Sequence, residues 1–187
     1  IREFLQHRRS TPAHLLTTPG PDASQRDWLL RMALRVPDHG VRTPWRLLIL
    51  EGPAKLEFSK QLAELAVIRN PKFSATRREK EQQRYHYAPL VLVVIASLDK
   101  TDSAIPEQEQ ILSTGCVAYN LLLAAQALGF GAQWLTGWAA YDPEVANLLG
   151  LDRHERVIGF VHIGTPSAVV AERTRPDPAT KVHAWTP

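Results

Sequence analysis

A chain of 187 residues, 44% of them hydrophobic and 22% charged, has the composition of a folded globular protein and the length of one domain, which excludes global disorder. The formal charge is +3, from 22 basic against 19 acidic residues; a solvated basic surface, an anionic ligand and a nucleic acid are all compatible with so small an excess. No apolar run reaches the ~18 residues of a membrane-spanning helix, and the single cysteine, Cys116, excludes an internal disulfide.

Residues 1–8 read as the end of a helix with Phe4 and Leu5 as its apolar contacts, and Pro12 disfavours helix at Thr11. Thr18-Pro19-Gly20-Pro21 is a rigid turn. Asp22 or Ser24 can cap the next helix, where Trp28, Leu29, Met32 and Ala33 recur at helical spacing up to Pro37. Pro37-Asp38-His39-Gly40 is a loop by composition. Residues 45–50 read as a strand. A helix over 54–68 follows, with Leu56, Leu62 and Leu65 as apolar positions. A charged helix over 71–85 comes next, and its run Arg77-Arg78-Glu79-Lys80-Glu81 mixes signs as a solvated face does.

Residues 90–96 contain no polar side chain, which suits a central strand covered on both faces. Residues 107–128 form the longest helix, apolar nearly all round in its middle. It is therefore expected to be buried on most sides and, in a domain this small, to meet a partner subunit as well. Cys116 lies within it and reads as buried, inert packing. Gly129 is a natural cap. Residues 130–137 read as a strand entering a glycine turn, residues 142–149 as a short helix and residues 156–164 as a further strand, and residues 165–187 are an extended tail. Strands separated by helices give an α/β or α+β sandwich around a modest sheet.

Three constellations carry candidate chemistry. Arg8, Arg9 and Ser10 combine two guanidinium forks and a hydroxyl, a donor set matched to phosphate oxygens; paired arginines also suit a plain solvated surface. Arg35 and His39 flank a loop after a helix end, where a cation also suits the C-terminal dipole. Trp134, Leu135 and Thr136 precede Gly137, where the tryptophan either fills the core or flanks a flat ring. No histidine or carboxylate stands at metal-ligand spacing to these groups, and no nucleophile elbow, triad or carboxylate pair stands out. An enzyme of this composition therefore relies on a cofactor for its chemistry. Gly129-Phe130-Gly131 follows a helix and lacks the third glycine of a dinucleotide fingerprint.

In order and spacing, these segments resemble the FMN-dependent nitroreductase family, closest to its small single-domain NAD(P)H nitroreductase branch. The likeness runs from Arg8-Arg9-Ser10 through Arg35-Val36-Pro37-Asp38-His39, Pro44-Trp45, Gly115-Cys116, residues 126–131 and Trp134-Leu135-Thr136-Gly137 to Gly159-Phe160 and Gly164-Thr165-Pro166. The resemblance implies an α+β sandwich with a central, mostly antiparallel sheet flanked by helices, in an intertwined homodimer with FMN at the subunit interface. Residues 1–187 would form one FMN-binding domain whose tail, residues 165–187, packs on the partner subunit. Arg8, Arg9 and Ser10 would hold the phosphate and ribityl chain. Trp134, Leu135 and Thr136 would lie along the same flavin, and Arg35 and His39 would reach it from the partner. Arg173 or Arg175 would add a phosphate contact.

No catalytic side chain is implied, because FMN carries the reaction: hydride passes from NADH or NADPH through flavin N5 to a nitroaromatic, quinone or similar electron-poor acceptor by ping-pong. Three positions depart from the family pattern. Leu135 stands where many relatives carry arginine, and Arg42 and Thr43 precede Pro44 where relatives often have glutamine immediately before the proline. These departures leave room for a flavin-binding carrier or sensor on the same fold. Nucleic-acid binding ranks last, since no helix-turn-helix, RNA-recognition motif or zinc finger is present. A cytoplasmic protein with no membrane partner is expected.

Overall fold

The strongest local signals become helix ends. The Asp22 carboxylate accepts the Gln25 N–H at 2.8 Å while the Asp22 N–H donates to the Gln25 side chain at 3.0 Å, a reciprocal cap. Asp142 accepts the N–H groups of Glu144 and Val145 at 2.8 and 3.3 Å, and Gly129 at φ +85° ends the longest helix. In the computed structural model, which describes residues 1–99, 101 and 105–186, the elements run α1 (Arg2–His7), β1 (Leu16–Thr17), α2 (Ala23–Ala33), β2 (Trp45–Glu51), α3 (Gly52–Arg69), α4 (Ala75–Gln83), β3 (Leu90–Ser97), α5 (Glu107–Ala127), β4 (Gly131–Leu135), α6 (Pro143–Leu148) and β5 (Glu155–Pro166).

Every strand pairing is antiparallel. The order is β1-β5-β3-β2, with β4 also on β5. Side chains alternate across the sheet. Leu90, Leu92 and Val94 of β3 join Val161 and Ile163 of β5 against α2 and α5. Val91, Val93 and Ile95 join Val157 and Phe160 against α3 and α6. A bulge between Val94 and Ile95 lets both strands keep their apolar sets on the right faces. The expected α+β sandwich with an antiparallel sheet is thus present, and β3 is buried on both sides from Leu90 to Ala96. Among the described residues no helix is long and apolar enough to cross a membrane.

Several expectations are corrected. The charged helix starts at Ala75 rather than near 71, because Ser74 caps it by accepting the Arg77 N–H at 3.2 Å. Its run is not wholly solvated: Glu81 is buried and bonded by Arg77 at 2.9 Å and Arg84 at 3.1 Å. In α3 the buried stripe is Lys55, Phe58, Ser59, Leu62 and Ala66, which leaves Leu56 exposed. Leu5 and Trp28 are also exposed. Cys116 is exposed rather than packed. It shares one side of α5 with Leu112 and Tyr119, which are 60% and 43% exposed. The tail begins two residues later than expected, because Thr165 and Pro166 pair with Thr17 and Leu16.

Beneath α3 and α4, His162 is fully buried beside Tyr85, with ring centroids 5.3 Å apart. Neither ring nitrogen has a hydrogen-bond partner among the described residues. Burial, reinforced by the Lys55 and Arg84 charges, pulls its pKa from 6.5 down to about 3. The folded chain therefore binds fewer protons here than the unfolded chain between those values. The contribution is fully present above about pH 6.5 and is lost as pH falls toward 3, up to about 5 kcal/mol. In His162→Leu, urea unfolding followed from pH 7 to pH 4 should show a markedly flatter loss of stability; an unchanged pH slope would refute the assignment. A second expectation concerns Gly159. A side chain there would strike Trp134 Nε1 and stand 2.9 Å from the Leu135 carbonyl oxygen. Gly159→Ala should cost about 1–3 kcal/mol in thermal or urea unfolding and change the tryptophan emission.

Candidate functional site

Residues 8–10 follow α1 and are held at the start of β4. The Thr11 N–H donates to the Ala132 carbonyl at 3.0 Å, the Ala13 N–H donates to Gln133 Oε1 at 2.6 Å, and Gln126 at the end of α5 donates to the Arg9 carbonyl. The Arg8 guanidinium stands 6.0 Å from the Tyr119 ring centre. Arg9 donates to the Ala171 carbonyl and lies 3.8 Å from the Glu172 carboxylate. Arg175 bonds that carboxylate at 3.0 Å and donates to the Arg8 carbonyl at 3.2 Å. Ser10 is half-buried beside them. Two guanidiniums, those of Arg9 and Arg175, therefore share one carboxylate, next to a hollow of about 500 Å³ lined by Arg9, Thr11, Gln126 and residues 166–170.

At the other end of β4, Trp134 packs with the α5 side of the core and donates from Nε1 to the Ile158 carbonyl at 3.1 Å. Its ring comes within 3.9 Å of where a Gly115 side chain would begin. Leu135 lies opposite Phe160. Thr136 is half-buried and leads into Gly137, whose φ of +62° favours glycine. Arg84 reaches this turn: its Nη1 stands 3.0 Å from the Cβ position of Gly137. Arg84 is held by Glu81, which also accepts from Trp138 Nε1 at 3.3 Å.

Strand β4 thus joins residues 8–10 and residues 134–136 into one strip. Arg35 and His39 are not part of it in this chain. Arg35 is exposed, with its carbonyl accepting from Asn120 at 3.0 Å, and the exposed His39 pairs through Nδ1 with Glu109 at 2.8 Å. The loop between them and β2 is tied to α5, because Ser113 donates to the Pro37 carbonyl at 2.5 Å and Thr114 to the Pro44 carbonyl at 2.9 Å. Within it Val41 and Thr43 take positive φ values of 52° and 47°, a strained conformation for β-branched residues.

The sequence pattern did not single out Gln126, Arg84 or Glu172 as neighbours of these groups. Gln126 sits on a helix face that only the fold turns toward residue 9, Glu81 reads as a member of a solvated run, and Arg84 as part of the charged helix over 71–85. Of the two tail arginines, Arg175 reaches the cluster with its side chain, while Arg173 gives Glu172 a backbone N–H at 2.8 Å. A larger hollow of about 720 Å³ between α3 and α4 contains none of the candidate residues.

The chain is 32% identical over 177 residues, 94% of each chain, to the Escherichia coli (strain K12) protein named "Putative NAD(P)H nitroreductase YdjA". Its fold matches the crystal structure of a nitroreductase-like family protein from Bacillus cereus with a TM-score of 0.82 at 23% identity, covering 98% of this chain and 95% of that one. It also matches a nitroreductase with bound FMN from Bacteroides fragilis with a TM-score of 0.74 at 21% identity, covering 99% and 98%. Residues 5–165 match the Nitroreductase family, and with that span and these relatives the chain belongs to the nitroreductase family.

Proposed function

We propose that the chain is an FMN-dependent NAD(P)H oxidoreductase of nitroreductase type that works as a homodimer. The observation that carries this reading is the guanidinium cluster at one end of β4, already organised about an anion, the Glu172 carboxylate. A phosphate fits the same donors. The relatives support the cofactor: one curated relative is named for NAD(P)H nitroreduction and one matching crystal structure contains FMN.

Arg8 and Arg9, with the Ser10 hydroxyl, would hold the phosphate and ribityl chain. Trp134 gives the strip an apolar wall, Leu135 contributes through its backbone, and Thr136 and the side-chain-free Gly137 leave the turn's backbone N–H groups approachable. Arg35 and His39 would come from the second copy, docked on the exposed side of α5, with part of residues 165–187 packed against it. Bound FMN would supply the hydride chemistry linking NADH or NADPH to a nitroaromatic, quinone or similar electron-poor acceptor. The protein's residues bind, orient and exclude water; none of them is required to move a proton.

Purified protein should be yellow, should bleach on adding NADH or NADPH without oxygen, and should regain colour with an acceptor. A colourless protein that takes up no FMN would sink the reading, and bound flavin that neither nucleotide reduces would point to the carrier or sensor. Arg8→Ala should weaken FMN retention by roughly 1.5–3 kcal/mol, the loss of one charged hydrogen bond. Equilibrium dialysis checks this, and equal retention by both proteins would remove Arg8 from the phosphate site.

A further inference from the structure

The C-terminal segment is attached to the body of the chain at two places. Its base is fixed where Ser167 donates from its N–H at 2.8 Å and from its hydroxyl at 3.0 Å to the Leu15 carbonyl. Its second attachment is the group around Glu172: Arg9 to the Ala171 carbonyl, Arg9 and Arg175 to the Glu172 carboxylate, and Arg175 to the Arg8 carbonyl. Residues 166–170 bridge the two and line the hollow that also meets Arg9, Thr11 and Gln126. Residues 176–186 are exposed.

We propose that Glu172 is the resident counter-ion of this site, a tethered clasp that a phosphate group must displace in order to bind. The inference rests on the flavin reading above, which puts a phosphate on Arg8 and Arg9. The geometry favours exchange. The Arg9–Glu172 separation of 3.8 Å exceeds the ~2.7–2.9 Å of a direct charge-assisted bond, and the Glu172 side chain is 53% exposed, against 21% for Arg9. One carboxylate also serves two guanidinium forks, whereas a phosphoryl dianion offers oxygens to both. Tethering gives the carboxylate an effective concentration on the order of millimolar, so dilute free monoanions do not open the clasp. A phosphate ester that gains both forks opens it, and the exchange frees the Glu172 side chain from them.

The pair is exposed and screened, so the clasp is weak and should lower phosphate-ester affinity by about two- to fivefold. The test is flavin titration by fluorescence with the full chain and its Glu172→Gln variant, using FMN and riboflavin as probes. The variant should bind FMN about two- to fivefold more tightly and riboflavin equally, because riboflavin has no phosphate to compete with the carboxylate. Unchanged or weaker FMN binding in the variant, or an equal gain for riboflavin, overturns the clasp and leaves the flavin reading intact. Failure of both proteins to bind FMN overturns the two together.

Discussion

The antiparallel pairing of β5 is the constraint from which the rest of the structure follows. This one strand holds β3 along residues 155–163, β4 along residues 160–164 and β1 at its end. It can do so only because its partners come very close. At Gly159 the Trp134 ring and the Leu135 carbonyl occupy the space a side chain would need, and at Gly164 the Thr17 carbonyl oxygen lies 2.9 Å from the Cβ position. Burial of β3 and β5 between two helix layers fixes their register, since a one-residue slip would turn each apolar set to the wrong face. The register of β4 then sets where Trp134 points, and the bond from Thr11 to Ala132 sets where residues 8–10 lie. The two halves of the candidate site are thus joined by backbone pairing, which holds positions more firmly than side-chain contacts between loops.

Charge is divided between the faces in a way the net value conceals. On the α3 and α4 side the chain buries Lys55, Glu81 and His162. Lys55 donates to the carbonyls of His86 and Ala88, and burial lowers its pKa. Glu81 is neutralised by two arginines. This group orders the segment leading into β3 and places Arg84 against the Gly137 turn. On the α5 side the cations stay near the surface, where Arg9 and Arg175 share Glu172. A formal excess of +3 therefore needs no polyanion partner: part of the positive charge serves as local counter-charge, and the remainder is solvated.

What was legible in the sequence was chemistry satisfied within a few residues. Asp22 with Gln25, Asp142 before Pro143 and the glycine after α5 announce helix ends because their partners are neighbours. The all-apolar run of β3 announces a strand covered twice. The misread positions have distant partners. Lys55 and Ser59 are buried because carbonyls of residues 82, 86 and 88 receive them, and Leu56 is exposed as a result. Strand β1 is only two residues long and exists because β5 reaches it. The candidate site divides the same way. Residues 8–10 and 134–136 stood out by composition and lie at the two ends of β4, whereas Gln126, Arg84 and Glu172 join them through tertiary contacts that no local pattern encodes.

Cys116 marks the exposed side of α5. The helix around it is apolar on nearly every side, yet Leu112, Cys116 and Tyr119 face outward, and apolar area left in water on one rigid helix favours a partner. The loop carrying His39 is fastened to the same helix through Ser113 and Thr114. These fastenings hold Val41 and Thr43 at positive φ against a cost of about 1–3 kcal/mol each. The stripe and the loop therefore form one stiff surface. On the homodimer reading, covering the stripe with a second copy delivers Arg35 and His39 without further rearrangement.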